Sequence, residues 1–213
     1  MNRRHLISSA ILGAVVCVPL AQAHPHVFVD SSLRIFVEDG RAKSVEVTWV
    51  YDDFFSLLIF EDMQLDPDGD GVLTKAELGR LRGFDFEVWP EGFEGDLYAY
   101  SNGTKLDLAM PEVTGIAVDQ GRIVSRHVRR LPDVPAAGLE LQQYDPTYYV
   151  AYALDSNVVV EGGCSAAVEK YDPDAAAKAI EDELNSVPED VFEQMKVGIH
   201  FADWVRLSCD PSS

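Results

Sequence analysis

Residues 26–50 read HVFVDSSLRIFVEDGRAKSVEVTWV. Apolar and polar residues alternate over 26–37 and again over 43–50, with β-branched side chains throughout, as in half-buried strands. Glu38-Asp39-Gly40-Arg41 lies between them and supplies turn chemistry. The stretch is therefore a hairpin, and it sets the fold class: a domain built on antiparallel strands. Outward from it, further short strands are expected at 96–101 and 104–108 around Asn102-Gly103, and near 113–119, 122–129, 138–144, 147–154, 157–161 and 164–170. Asp172-Pro173-Asp174 opens a helix to about Leu184, a second helix is expected from Pro188 to about Lys196, and Phe201 to Cys209 reads as a last strand. The expected class is α+β: a β-rich, sandwich-like domain over 24–213 with C-terminal helices and one helix-loop-helix inserted at about 52–83.

That insertion is the most specific feature of the chain. Helical periodicity runs from about Asp52 to Leu65 and again from about Thr74 to Arg82. Between them, residues 66–77 read DPDGDGVLTKAE, the oxygen pattern of an EF-hand calcium loop. Asp66, Asp68 and Asp70 stand at positions 1, 3 and 5. Gly71 takes position 6, where the chain turns sharply. Val72 offers its carbonyl at position 7, Thr74 acts at position 9, and Glu77 closes the site at position 12. Leu73 is the inward apolar residue. Thr74 and Glu77 also make a T-x-x-E capping box for the outgoing helix. The competing explanation is a Gly/Asp-rich surface turn. The hand has no second loop to pair with, since the candidate at Asp172 carries Ala177 where glycine is needed, and Asp62 stands where an apolar residue usually packs the incoming helix. A lone hand suits a structural clip better than a sensor that opens a groove.

The first 23 residues have the form of an export signal: Arg3 and Arg4, an apolar stretch from Leu6 to Leu20, and Ala21-Gln22-Ala23 as the cleavage site. The stretch is short of the ~20 residues a membrane span requires, so the expectation is periplasmic localisation without a span in the mature chain. Removing the leader takes away only Arg3 and Arg4 of the 17 basic residues and none of the 36 acidic ones, for a net charge of −21. That argues against nucleic acid and anionic membrane as partners. It fits cation handling, and equally plain solubility. Cys164 and Cys209 remain, most simply as one disulfide in an oxidising compartment, with a thiolate metal pair as the alternative.

Cleavage would leave His24-Pro25-His26 at the amino terminus, placing an α-amine and two imidazoles within three residues. These donors suit nickel, cobalt, zinc or copper rather than calcium. Square-planar amide chelation is excluded because Pro25 has no N–H. A site here would draw on His127 or His200, the other histidines of the mature chain; the bland alternative is a frayed terminus. The aromatic clusters 49–55 and 144–150 read as core packing, with Asp145-Pro146-Thr147 as a turn. Arg126-His127-Val128-Arg129-Arg130 reads as a surface strand. No Ser nucleophile motif, phosphate loop or H-E-x-x-H is present.

The segments His24-Pro25-His26-Val27, Trp49…Asp52-Asp53-Phe54-Phe55-Ser56, the aspartate-rich loop, Tyr144-Asp145-Pro146-Thr147-Tyr148-Tyr149, Cys164, and Phe201-Ala202-Asp203…Arg206-Leu207-Ser208-Cys209 together resemble a family of uncharacterised bacterial periplasmic proteins. Its members are often described as the periplasmic component of an ABC-type transport system and encoded beside nickel/cobalt-type membrane permeases. The resemblance covers nearly all of the mature chain. It implies a role in transition-metal transport. With the acidic loop and the amino-terminal histidines, the expectation is a metal-binding, non-enzymatic accessory protein with calcium as a structural ion and a membrane permease as partner. Two alternatives stand beside it: a copper enzyme using His24 in an amino-terminal brace, and a calcium-stabilised interaction module without cargo metal.

Overall fold

The computed structural model describes residues 25–155, 158–186 and 195–209. The expected leader and His24 lie outside them.

The opening hairpin forms as read. Strand β1 (Val27–Glu38) and strand β2 (Arg41–Tyr51) pair antiparallel from Val29 opposite Tyr51 to Glu38 opposite Arg41. The turn places Asp39 and Gly40 both at positive φ, which matches the twist of the flanking strands. The alternation is carried into burial: Val27, Val29, Leu33, Ile35 and Val37 point inward while their neighbours face out.

Two sheets follow. The first has the order β5 (Glu112–Asp119), β6 (Arg122–Pro135), β2, β1, β8 (Val150–Leu154), with β9 (Val159–Glu161) also on β1. The second has the order β10 (Cys164–Glu169), β11 (Trp204–Cys209), β7 (Leu139–Gln143), β3 (Leu97–Ser101), β4 (Thr104–Leu106). One apolar cluster draws on both, with Ile35, Val45 and Val47 from the first and Leu97, Leu141 and Val205 from the second. The described residues are thus mixed α+β and mostly β, in agreement with the class expected from sequence.

Two pairings were beyond local pattern. Strand β1 runs parallel to β8 over its first half and to β9 over its second, so residues more than a hundred positions apart complete its outer edge. Gly162, between β9 and β10, has φ +112, and a Cβ there would lie 2.0 Å from the Val37 carbonyl oxygen. Only glycine permits that approach.

Among the helices, α1 (Asp53–Asp62) is shorter than the periodicity of 52–65 suggests, whereas α2 (Lys75–Leu81) fits its expected span. Asp52 caps α1: one carboxylate oxygen accepts from Phe55 N at 2.8 Å and the other from Phe28 N at 2.7 Å on β1. A single side chain therefore closes the helix and fixes it to the sheet. Buried Ser56 Oγ accepts from Ile123 N at 3.0 Å, and Arg82 donates to the Val113 carbonyl at 2.6 Å. The pair of helices is seated on β5 and β6 by these bonds and by Phe60 and Leu81 in the core.

At the other end, α3 (Pro173–Leu184) starts at the Asp172 cap, as expected. The helix expected over 188–196 falls mostly outside the described residues, and 195–197 are not helical. The last strand begins at Trp204 rather than at Phe201, because Gly198–Phe201 forms a 3-10 turn. Strands β10 and β11 set Cys164 opposite Cys209, and the two are joined by a disulfide with Cα atoms 4.2 Å apart.

Candidate functional site

Between α1 and α2 the chain folds the aspartate-rich loop into a tight ring. Carboxylate oxygens of Asp66, Asp68 and Asp70 come within 4.8 Å of one another, the one such group of metal-capable side chains among the described residues. Asp66 accepts from the amides of Asp70 (3.1 Å) and Gly71 (3.0 Å), and Asp70 from Val72 N (2.8 Å). Glu77 spans the ring: one oxygen takes Asp66 N (3.2 Å) and the other takes Thr74 N (2.8 Å) and the Thr74 hydroxyl (2.6 Å). Thr74 Oγ1 in turn accepts from Glu77 N, completing the capping box.

Three details bear on the loop's chemistry. Gly71 has φ +76, yet a Cβ on it would meet nothing within 4 Å. Glycine is needed there for backbone conformation, not to avoid a clash. Leu73 is buried, and Val72 is exposed. The Asp68 carboxyl is pushed up, chiefly by the neighbouring Asp70 carboxylate, while hydrogen bonds from Thr74 hold Glu77 down. Like charges gathered on a folded backbone repel, and a hard cation removes that repulsion.

The three described histidines form no common metal-capable group. His26 immediately precedes β1, its amide donating to the Tyr149 carbonyl (2.9 Å) and its ring 4.9 Å from that of Tyr149. His200 lies on the 3-10 turn, with Nε2 2.7 Å from a Glu183 carboxylate oxygen. His127 is fully buried, edge-on to Trp49 and Phe86, with neither ring nitrogen hydrogen-bonded. Burial, helped by the Arg129 guanidinium, lowers its pKa to about 3. The basic cluster on β6 is only half a surface: Arg126 and Arg130 are exposed, while Arg129 turns inward with His127. There Arg129 donates to the carbonyls of Ala109 (2.7 Å) and Glu94 (2.8 Å).

The sequence reading missed a second site. A cavity of about 320 Å³ opens beside the start of β1, and eight of its thirteen lining residues are aromatic. Trp49 and Tyr51 reach it from β2, Phe84 and Phe86 from the turn after α2, and Tyr152 from β8. Among the described residues, its charged lining groups are Asp85 and Asp96. Tyr51 hydroxyl donates to Asp85 (3.2 Å) and Tyr152 hydroxyl to Asp96 (2.8 Å). The second oxygen of each carboxylate has no partner, nor has Trp49 Nε1; Ser125 lies beside Asp85 but outside hydrogen-bond geometry. Burial raises both acids, Asp96 to about 7. No motif marks either aspartate. The available signal was an acid in each of two aromatic-rich segments, 84–89 and 93–100.

Asp96 and His127 make opposite contributions to pH-dependent stability. Asp96 binds its proton more tightly folded than unfolded, so it stabilises the fold increasingly as pH falls from about 7 to about 4. His127 binds its proton more weakly folded, so its contribution is lost as pH falls from about 6.5 to about 3. Removing one should expose the other. In Asp96→Asn, unfolding free energy from urea titrations should fall relative to wild type as pH is lowered from 7 to 4, with a slope approaching about 1.4 kcal/mol per pH unit. A constant difference between the two proteins across that range would contradict this.

The fold and sites describe a two-sheet, mostly β protein with an acidic loop held between two helices and an acid-lined aromatic cavity. No described helix is long and apolar enough to cross a membrane. The chain belongs to the family described as "Protein of unknown function (DUF1007)", whose pattern matches residues 9–209. It is also similar to an uncharacterized protein of Haemophilus influenzae, at 26% identity over 202 residues, covering 88% of this chain and 92% of that protein.

Proposed function

We propose that this is an exported, calcium-binding accessory protein of a transition-metal transport system, with calcium as a structural ion and nickel, cobalt, zinc or copper as cargo. The observation that carries the calcium part is the convergence of Asp66, Asp68 and Asp70 within a loop already closed by Glu77. Asp66, Asp68, Asp70, Glu77, Thr74 and the Val72 carbonyl supply only oxygen, the ligand set of a hard divalent ion. Because the hand is single, its role is to clip α1 to α2 rather than to expose a groove. The Cys164–Cys209 disulfide supports an oxidising compartment and hence export to the periplasm.

The transport part rests on the family resemblance and on the histidines at the amino-terminal end. His24 and His26 are the cargo ligands in this reading. Among the described residues His127 is buried and His200 is paired with Glu183, and neither groups with His26. Titration calorimetry tests the proposal on protein beginning at His24, saturated with calcium. One nickel, cobalt, zinc or copper ion should bind. Affinity should weaken in acid, because protonated imidazole cannot ligate. His26→Ala should lose most of the affinity. Equal binding by wild type and a His24/His26 double-alanine variant would rule out this end as the cargo site, and the interaction-module reading would then lead.

A further inference from the structure

We propose that the aromatic cavity beside β1 is a binding site for a small organic ammonium ion bearing N–H donors. The site is independent of the calcium loop and of any cargo metal.

Four observations point to this ligand. The walls are mainly rings, and Trp49, Tyr51, Phe86 and Tyr152 present the π-systems that attract a cation. Among the described residues, the charged groups on the walls are carboxylates, and no lysine or arginine lines the cavity. Arg129, whose charge acts on Asp96, is engaged with two backbone carbonyls. Asp96 is 94% buried, is held in place by Tyr152 through one oxygen, and leaves the other without a donor. A buried acceptor of this kind is normally satisfied by water or by a ligand.

The choice of an organic cation over a metal follows from the same geometry. Among the described residues, metal-capable side chains gather in threes only at Asp66, Asp68 and Asp70, so Asp85 and Asp96 lack the further ligands a metal needs. The choice of a protonated amine over a quaternary one follows from the two lining carboxylates, which accept hydrogen bonds as well as attract positive charge. A volume of about 320 Å³ sets the scale at a small molecule. An ammonium group between the two aspartates would pair with a carboxylate while its alkyl portion lies against Phe84 and Phe86.

The probe is n-butylammonium, with butan-1-ol as the neutral analogue and tetramethylammonium as a cation without N–H. Binding is read by calorimetry and by Trp fluorescence on calcium-saturated protein, above the pH at which Asp96 ionises. Butylammonium should bind at least tenfold more tightly than butan-1-ol, and tetramethylammonium should fall between them. Asp96→Asn should bring butylammonium down to the level of the alcohol. In wild type, proton NMR should show contacts between the butyl chain and the rings of Trp49 and Tyr152, which keeps the test valid should the variant misfold. Equal binding of alcohol and ammonium, no binding of either, unchanged affinity in folded Asp96→Asn, or contacts to rings elsewhere would each overturn the assignment.

Discussion

In about 10 mM calcium, the metal-stripped protein should melt roughly 3–10 °C higher than in chelator. A single extracellular-type hand binds calcium at about 10⁻⁴–10⁻³ M. Ligand at about 10–100 times that dissociation constant stabilises the folded state by about 1.4–2.7 kcal/mol. For a chain of this length each kcal/mol moves the midpoint by about 2–4 °C. Glu77→Gln separates ion binding from helix capping. Glutamine can still fill the N3 position of the capping box beside Thr74, so the variant should melt near wild type in chelator. It should lose most of the calcium shift, because the closing carboxylate is gone. Differential scanning calorimetry with and without calcium checks both halves. A midpoint that does not move in wild type would end the calcium reading.

Replacing Cys164 and Cys209 together by serine should lower stability by about 4 kcal/mol, the chain-entropy value for a loop of 45 residues. That corresponds to a fall in the melting midpoint of about 8–16 °C. The disulfide sits at the end of the β10–β11 ladder, where Cys164 opposes Cys209. Strand β10 forms one edge of its sheet, and β11 is its ladder partner there. Hydrogen exchange in the double-serine protein should therefore increase first in β10. A denaturation curve that superposes on wild type would show that the ladder needs no covalent support.

Much of this protein is legible locally. Period-2 alternation placed nearly every strand within a few residues, because the face that enters the core is a property of each strand taken alone. Caps at Asp52, Thr74 and Asp172 set helix starts through bonds that reach only two or three residues. The calcium-loop pattern, the capping box and the buried Leu73 belong to the same class of short-range information. Even the inward turn of Arg129 was available in principle: Ile123, Ser125, His127, Arg129 and Leu131 share one face of β6, and all five are buried. Charge masked the period there, since a run of basic residues is read as surface.

What the sequence determined by itself is the β-rich class, the hairpin of β1 and β2, the helix-loop-helix with its acidic ring, and the two cysteines available to pair. Tertiary structure alone decided which strands meet at distance, notably β1 with β8 and β9. It also decided that His26, His127 and His200 form no common group among the described residues, and that Asp85 and Asp96 line one aromatic cavity. The reason is physical. Capping and alternation are fixed by bonds between near neighbours, whereas a cavity and its charges arise from side chains of β2, β8 and the segments around β3, whose proximity depends on packing the whole core.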